Sequence, residues 1–123
     1  MKSILLIDDE TDFTELTGTL FRFHGFDIDT FNESKNIDSE VQKKSYHLIV
    51  TDLMMPDIDG FEVIKKIRAI PNYVNTPIVV LSAKILTDTE RKFLLQNQVH
   101  VIPKPFEPNL LVDKAKELLE IPE

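Results

Sequence analysis

Leu48-Ile49-Val50-Thr51-Asp52-Leu53-Met54-Met55-Pro56-Asp57-Ile58-Asp59-Gly60 is the stretch from which the fold can be read. Its opening is a continuous aliphatic run of strand length, which suits a strand buried on both faces of a parallel sheet. The run ends in an acid and passes through a proline-containing turn to Asp59-Gly60. There Phe61, Ile64 and Ile67 set up a helical period. Strand, short loop and amphipathic helix in that order begin a βαβ unit.

The same unit recurs on either side. Strand candidates are Ser3–Ile7, Asp27–Phe31, Leu48–Thr51, Ile78–Leu81 and Val99–Ile102. Phe13, Leu16, Thr17, Leu20 and Phe23 share one helical face, and Gly25 is the natural stop beyond it. The helix after the quoted stretch closes before Pro71. Leu111, Ala115, Leu118 and Leu119 mark the last helix, which Pro122 ends. Two further helices have thin apolar stripes. Ser34–Lys44 offers Ile37 and Val41, and Thr87–Asn97 is polar around Leu86, Phe93 and Leu94. Five β-α repeats imply right-handed crossovers and a doubly wound parallel five-stranded sheet, an α/β fold with the usual order 2-1-3-4-5.

The bulk numbers agree with one domain over residues 1–123. Hydrophobic residues at 42% and charged residues at 28% are ordinary for a globular chain. No run approaches the ~20 apolar residues of a membrane-spanning helix, and Ser3–Ile7 is too short for a signal peptide. With no cysteine, disulfides and thiolate metal sites are excluded, and a reducing compartment is allowed. A net charge of −7 argues against direct nucleic-acid binding. No output domain is expected within these residues.

In an open parallel sheet, ligands bind beyond the carboxyl ends of the strands. Here those ends are Asp8-Asp9-Glu10, Thr51-Asp52, Leu81-Ser82-Ala83 and Ile102-Pro103-Lys104-Pro105. Carboxylates gathered this closely raise one another's pKa unless a cation joins them. Mg²⁺ takes a few carboxylates, waters and phosphate oxygens, which fits so sparse a set. Lys104 adds a compact positive charge and Ser82 a short donor. Together these are the parts that phosphoryl transfer needs, since that chemistry is mostly positioning and charge stabilisation. A carboxylate can serve as the nucleophile.

Plainer readings stand beside this one. Asp8-Asp9-Glu10 also suits a helix N-terminus. Asp57 and Asp59 read as turn and cap residues, and an EF-hand is excluded because its first and last positions would be Met55 and Lys66. Met54-Met55 reads as loop packing. His24, His47 and His100 have no common spacing that would give them a metal or catalytic role.

Ile7-Asp8-Asp9-Glu10, the Thr51–Gly60 run, Leu81-Ser82-Ala83 and Lys104-Pro105-Phe106 together resemble the signature segments of the receiver domain of bacterial two-component systems, in the manner of a chemotaxis regulator. The match spans the chain in order and spacing. The resemblance implies a flavodoxin-like (βα)5 fold and a cytoplasmic phosphorelay switch. In it Asp52 is the phosphoacceptor, and Asp9 binds Mg²⁺ directly with Asp8 assisting through water. Asp52 and the backbone carbonyl of Met54 complete the metal set. Ser82 and the Ala83 amide engage the phosphoryl group, Lys104 contacts one of its oxygens, and Lys104-Pro105 is cis. The implied donor is a sensor histidine kinase, a phosphotransfer protein or a small phosphodonor. A downstream protein would be met by the face of the fourth helix, fifth strand and fifth helix, where a phosphorylation-linked dimer could also form. The chain would be a regulator rather than an enzyme with a metabolic product, phosphorylating itself and losing the group slowly.

Three features depart from the family pattern. Val101 stands where an aromatic residue usually reports phosphorylation at the switch. Gln96-Asn97-Gln98 replaces a small-residue turn, with Asn97 the expected left-handed position. Met54 and Lys84 flank the water path without a carboxylate or amide, which is the basis for slow self-hydrolysis. Two rival readings keep the fold or the chemistry. One is an interaction module independent of phosphorylation. The other is an aspartate-nucleophile phosphatase resembling haloacid dehalogenases, opposed by the lack of Asp-x-Asp on the first strand and of room for a cap.

Overall fold

A computed structural model describes residues 2–55 and 59–120. The elements follow in the order β1 (Ser3–Ile7), α1 (Thr11–Phe23), β2 (Asp27–Phe31), α2 (Ile37–Glu40), β3 (Leu48–Asp52), α3 (Gly60–Arg68), a 3-10 turn (Pro71–Tyr73), β4 (Ile78–Ser82), α4 (Asp88–Gln96), β5 (Val99–Pro103) and α5 (Pro108–Leu118). The strands form one parallel sheet in the order β2-β1-β3-β4-β5. The doubly wound (βα)5 expectation holds.

Every residue of β1, β3 and β4 is buried, and the period-2 alternation of the strands sorts them into two cores. Leu5, Ile7, Ile49, Ile78 and Val80 pack with Ile37, Val63, Ile64, Ile67 and Leu94 from α2, α3 and α4. Ile4, Leu6, Leu48, Val50 and Leu81 pack on the other face with Phe21, Leu111, Val112 and Ala115 from α1 and α5. The acids at the strand ends inherit this alternation. Asp8 and Asp52 are in phase with Ile4-Leu6 and Leu48-Val50 on the α1/α5 side of the sheet.

Four expectations need correction. The buried face of α1 is Thr14, Thr17, Gly18 and Phe21, whereas Leu16 is 63% and Phe23 84% exposed. Both sets fall at helical spacing. They overlap at Thr17, and Phe13 and Leu20 stay partly buried against the core, so the helix is rotated about its axis from the expected stripe. α2 spans Ile37–Glu40 rather than Ser34–Lys44. It has no side-chain cap, and beyond it Lys44 is drawn out to Asp27 at 2.5 Å and Asp29 at 3.1 Å on β2. The left-handed residue after α4 is Gln98, with φ 58°. Asn97 stays outside that region and donates through its side chain to the Phe93 carbonyl at 2.8 Å. β3, β4 and β5 each run one residue further than expected, so Asp52, Ser82 and Pro103 belong to the strands themselves.

The remaining boundaries agree. Thr87 caps α4 in a reciprocal capping box with Glu90. Asp59 caps α3 by accepting from the Glu62 amide at 3.0 Å. α3 stops at Arg68, and Ile70 before Pro71 is extended. Gly25 takes a φ of 88° after α1, where a Cβ would be strained. Asp57 and Pro122 lie outside the described residues.

Candidate functional site

The site forms where β1, β3, β4 and β5 end together. Register pairs Ile7 with Thr51, Asp52 with Leu81, and Ser82 with Pro103. Parallel pairing therefore brings Asp8, Asp52, Ser82 and Lys104 to one edge of the sheet. Asp52 is 5% exposed at the end of β3. The Lys104 ammonium lies 3.3 Å from its carboxylate, 3.5 Å from that of Asp8 and 3.8 Å from that of Glu10. The Met54 amide donates to Asp52 Oδ1 at 3.4 Å. Lys104 is also held by its backbone, which donates to the Ser82 carbonyl at 2.8 Å, and its peptide bond to Pro105 is cis.

Gly60 is built into this edge. Its amide donates to the Leu53 carbonyl at 2.9 Å. A Cβ there would meet the Asp52 carbonyl oxygen at 2.6 Å and Leu53 Cα at 2.7 Å. The glycine lets the start of α3 close directly over the end of β3.

The electrostatics are those of crowded acids around one base. Burial pushes the Asp8 carboxyl up to about 6; the Glu10 amide, donating to Asp8 Oδ1 at 3.0 Å, and Lys104 pull the other way, while nearby Asp52 adds to the rise. Burial pulls the Lys104 ammonium down, but Asp8, Asp52 and Glu10 together leave it above its ordinary value. Carboxylate oxygens of Asp8, Glu10 and Asp52 lie within 4.8 Å of one another. Such a set of hard oxygens, one of them on a buried acid that resists ionisation, fits Mg²⁺.

Most of the expected residues come together here. Ser82, 3% exposed, ends β4, and Ala83 follows it, exposed. Asp9 is exposed and stands outside the carboxylate group, whereas Glu10, not proposed as a ligand from sequence, is inside it. Met54 is 60% exposed beside Asp52. Val101 is exposed on β5, bordering a groove of about 200 Å³ with Leu86, Leu94 and Val99. Sequence reasoning also missed Asn32, whose amide donates to the Asp8 carbonyl at 2.9 Å and to Thr14 Oγ1 at 3.0 Å. Nothing in its local sequence signals a partner 24 residues away. Beside the carboxylates, Phe13, Ala83, Pro105 and Phe106 line an apolar cleft of about 400 Å³. The Lys104 ammonium sits over the Phe13 ring at 5.4 Å.

Residues 4–116 match the family model for the response regulator receiver domain. The chain belongs to that family. This receiver is 34% identical over 120 residues to a transcriptional regulatory protein, the CpxR homolog of Haemophilus influenzae, covering 97% of this chain and 51% of that one. It thus spans about half the length of the curated relatives it matches. Among solved structures it resembles the receiver domain of Francisella response regulator 1452, with a TM-score of 0.85, 27% identity and 98% coverage of both chains. It shares its fold with the chemotaxis protein CheY4 of Vibrio cholerae, with a TM-score of 0.86, 23% identity, and 96% and 98% coverage. Among the described residues, no helix is long and apolar enough to cross a membrane.

Proposed function

We propose that this receiver is a switch that accepts a phosphoryl group on the Asp52 carboxylate. The donor is a histidine kinase, a phosphotransfer protein or a small acyl phosphate. The observation that carries this reading is the nearly buried Asp52 carboxylate between Lys104 at 3.3 Å and the Asp8–Glu10 acids. Asp8, Asp9 and Asp52 would hold Mg²⁺ with the Met54 carbonyl, and Glu10 is close enough to join them. When bound, the ion supplies positive charge to the oxygens of the transferring group and relieves the crowding of acids.

An Asp52 carboxylate oxygen attacks phosphorus as the P–N bond of a phosphohistidine, or the P–O bond of an acyl phosphate, breaks. The electron pair leaves with the imidazole, which takes a proton from solvent, or with the carboxylate. Lys104 would meet the phosphoryl oxygens as a point charge, and Ser82 would turn its hydroxyl toward them with the Ala83 amide. Preorganised charge of this kind is the main contribution a protein makes to phosphoryl transfer. The partly apolar cleft beside Phe13 and Phe106, which Lys104 and Glu10 also line, is where the donor would approach. Loss of the group should be slow, because Met54 carries no polar side chain and the Lys84 ammonium is turned to Glu90 at 2.6 Å. Output would pass through α4, β5 and α5, where Leu95, Val101 and Leu110 are exposed.

The test is intact mass after incubation with acetyl phosphate, with and without Mg²⁺. Wild type should gain one phosphoryl group in the presence of the ion, and Asp52→Asn should gain none. An equal gain in both proteins would assign the chemistry to another residue.

A further inference from the structure

Ser82 is engaged by its own loop. Its hydroxyl oxygen accepts a hydrogen bond from the Lys84 amide at 3.0 Å and lies 3.5 Å from the Lys84 carbonyl oxygen. The strand beneath it is fixed, since Lys104 donates to the Ser82 carbonyl at 2.8 Å. For the hydroxyl to donate to a group on Asp52, its proton must turn away from the Lys84 carbonyl.

The place of Lys84 is set in turn by α4. Its ammonium reaches Glu90 Oε2 at 2.6 Å. Glu90 Oε1 accepts from the Thr87 amide at 2.9 Å, and Thr87 Oγ1 accepts from the Glu90 amide at 3.1 Å. Both carboxylate oxygens of Glu90 are therefore occupied. An isolated surface ion pair contributes little, chiefly because two long side chains must be ordered to form it. Here the capping box has already ordered Glu90, and the bond is short and charge-assisted. The loop between β4 and α4 is consequently tied at Ser82 through the Lys84 backbone and at α4 through the Lys84 side chain.

We propose that the Lys84–Glu90 pair is a latch that keeps Ser82 engaged with its own loop in the unphosphorylated receiver, and that opening this latch carries the signal from Asp52 into α4. The proposal rests on the phosphoacceptor reading above. It makes Lys84 and Glu90 positioning residues acting through Ser82. It also supplies a route that Val101 cannot, because it runs along residues 82–90 rather than through an aromatic side chain on β5. Weakening the latch raises the population of the conformer in which Ser82 is free to turn, and phosphorylation quickens accordingly.

Glu90→Gln removes the charge and keeps an acceptor for the Thr87 amide, so it tests the latch without removing the cap. With acetyl phosphate and Mg²⁺, Glu90→Gln and Lys84→Gln should each speed adduct formation about two- to five-fold. The double variant should gain no more than either single one. In a Ser82→Ala background the gain should vanish. In unphosphorylated protein, hydrogen exchange at the Lys84 amide should rise in Glu90→Gln. Equal rates in wild type and Glu90→Gln, a gain that survives Ser82→Ala, or unchanged Lys84 exchange would each overturn the latch. A purely structural role would lower the melting temperature without these effects. If wild type took up no phosphoryl group, the phosphoacceptor reading would fall instead, and the exchange measurement would still decide the latch.

Discussion

A methyl group on Gly60 would press on the Asp52 carbonyl oxygen and the Leu53 backbone, neither of which can rotate away. Gly60→Ala should therefore cost about 3 kcal/mol, near the upper end for overpacking. That is a fall in Tm on the order of 10 °C for a domain of this size. A change of a degree or two would mean that the start of α3 shifts freely over β3. Asp8 invites the opposite experiment. It is fully buried, close to two other acids, and its ionised form is disfavoured. Asp8→Asn should stabilise the metal-free protein at pH 7.5 by about 1 to 2 kcal/mol, while the rise in Tm on adding Mg²⁺ shrinks. An unchanged Mg²⁺ response would remove Asp8 from the metal set. Asp8, Asp52, Ser82 and Lys104 were legible in the sequence because each sits at a strand end, where parallel pairing leaves little choice of place. Glu10 and Asn32 were not, because loop and turn geometry decides which of several neighbouring polar groups points inward.

At the scale of elements, α1 shows how an apolar pattern can mislead. Phe13, Leu16, Thr17, Leu20 and Phe23 form a good helical stripe, yet the buried face is Thr14, Thr17, Gly18 and Phe21. The two faces overlap at Thr17, and Phe13 and Leu20 pack against the core from its margin, so the helix is rotated enough to leave Leu16 and Phe23 in solvent. Phe21→Ala should cost about 4 kcal/mol, whereas Leu16→Ser and Phe23→Ser should stay within about 0.5 kcal/mol of wild type. Chemical denaturation of the three variants checks this, and the reverse order would restore the sequence-based face. α2 is short because its apolar stripe holds only Ile37 and Val41 and no side chain caps its start. On β5, burial and then Lys114 hold the His100 imidazole below its ordinary pKa. The unfolded chain therefore takes up this proton first. The stability His100 contributes is fully present above about pH 6.5 and is lost as pH falls toward its folded value. His100→Gln should flatten the decline in stability between pH 7 and pH 5; parallel declines in the two proteins would exclude a role for this imidazole.

Taken whole, the molecule puts its rigid parts under the chemistry and its tied loops around it. Three fully buried strands end at the site, and alternation along them separates the α1/α5 core from the α2–α4 core. This much follows from runs of aliphatic residues and their spacing. What joins the peripheral elements does not. Arg68 of α3 donates to the carbonyls of Tyr73, Thr76 and Asn97 at 2.6, 2.7 and 3.0 Å, binding the turn before β4 to the end of α4. No local pattern marks that arginine, because its partners are backbone atoms whose places depend on the finished fold. The Lys84–Glu90 pair is hidden in the same way, and on such a tie the proposed switch would depend. The chemistry it would serve can be tested at one residue. After incubation with acetyl phosphate and Mg²⁺, borohydride reduction converts an aspartyl phosphate to homoserine, which peptide mass spectrometry can locate. Homoserine at position 52 alone is the predicted result. Homoserine at Asp8 or Asp9, or 5-hydroxynorvaline at Glu10, with intact aspartate at position 52 would contradict the account.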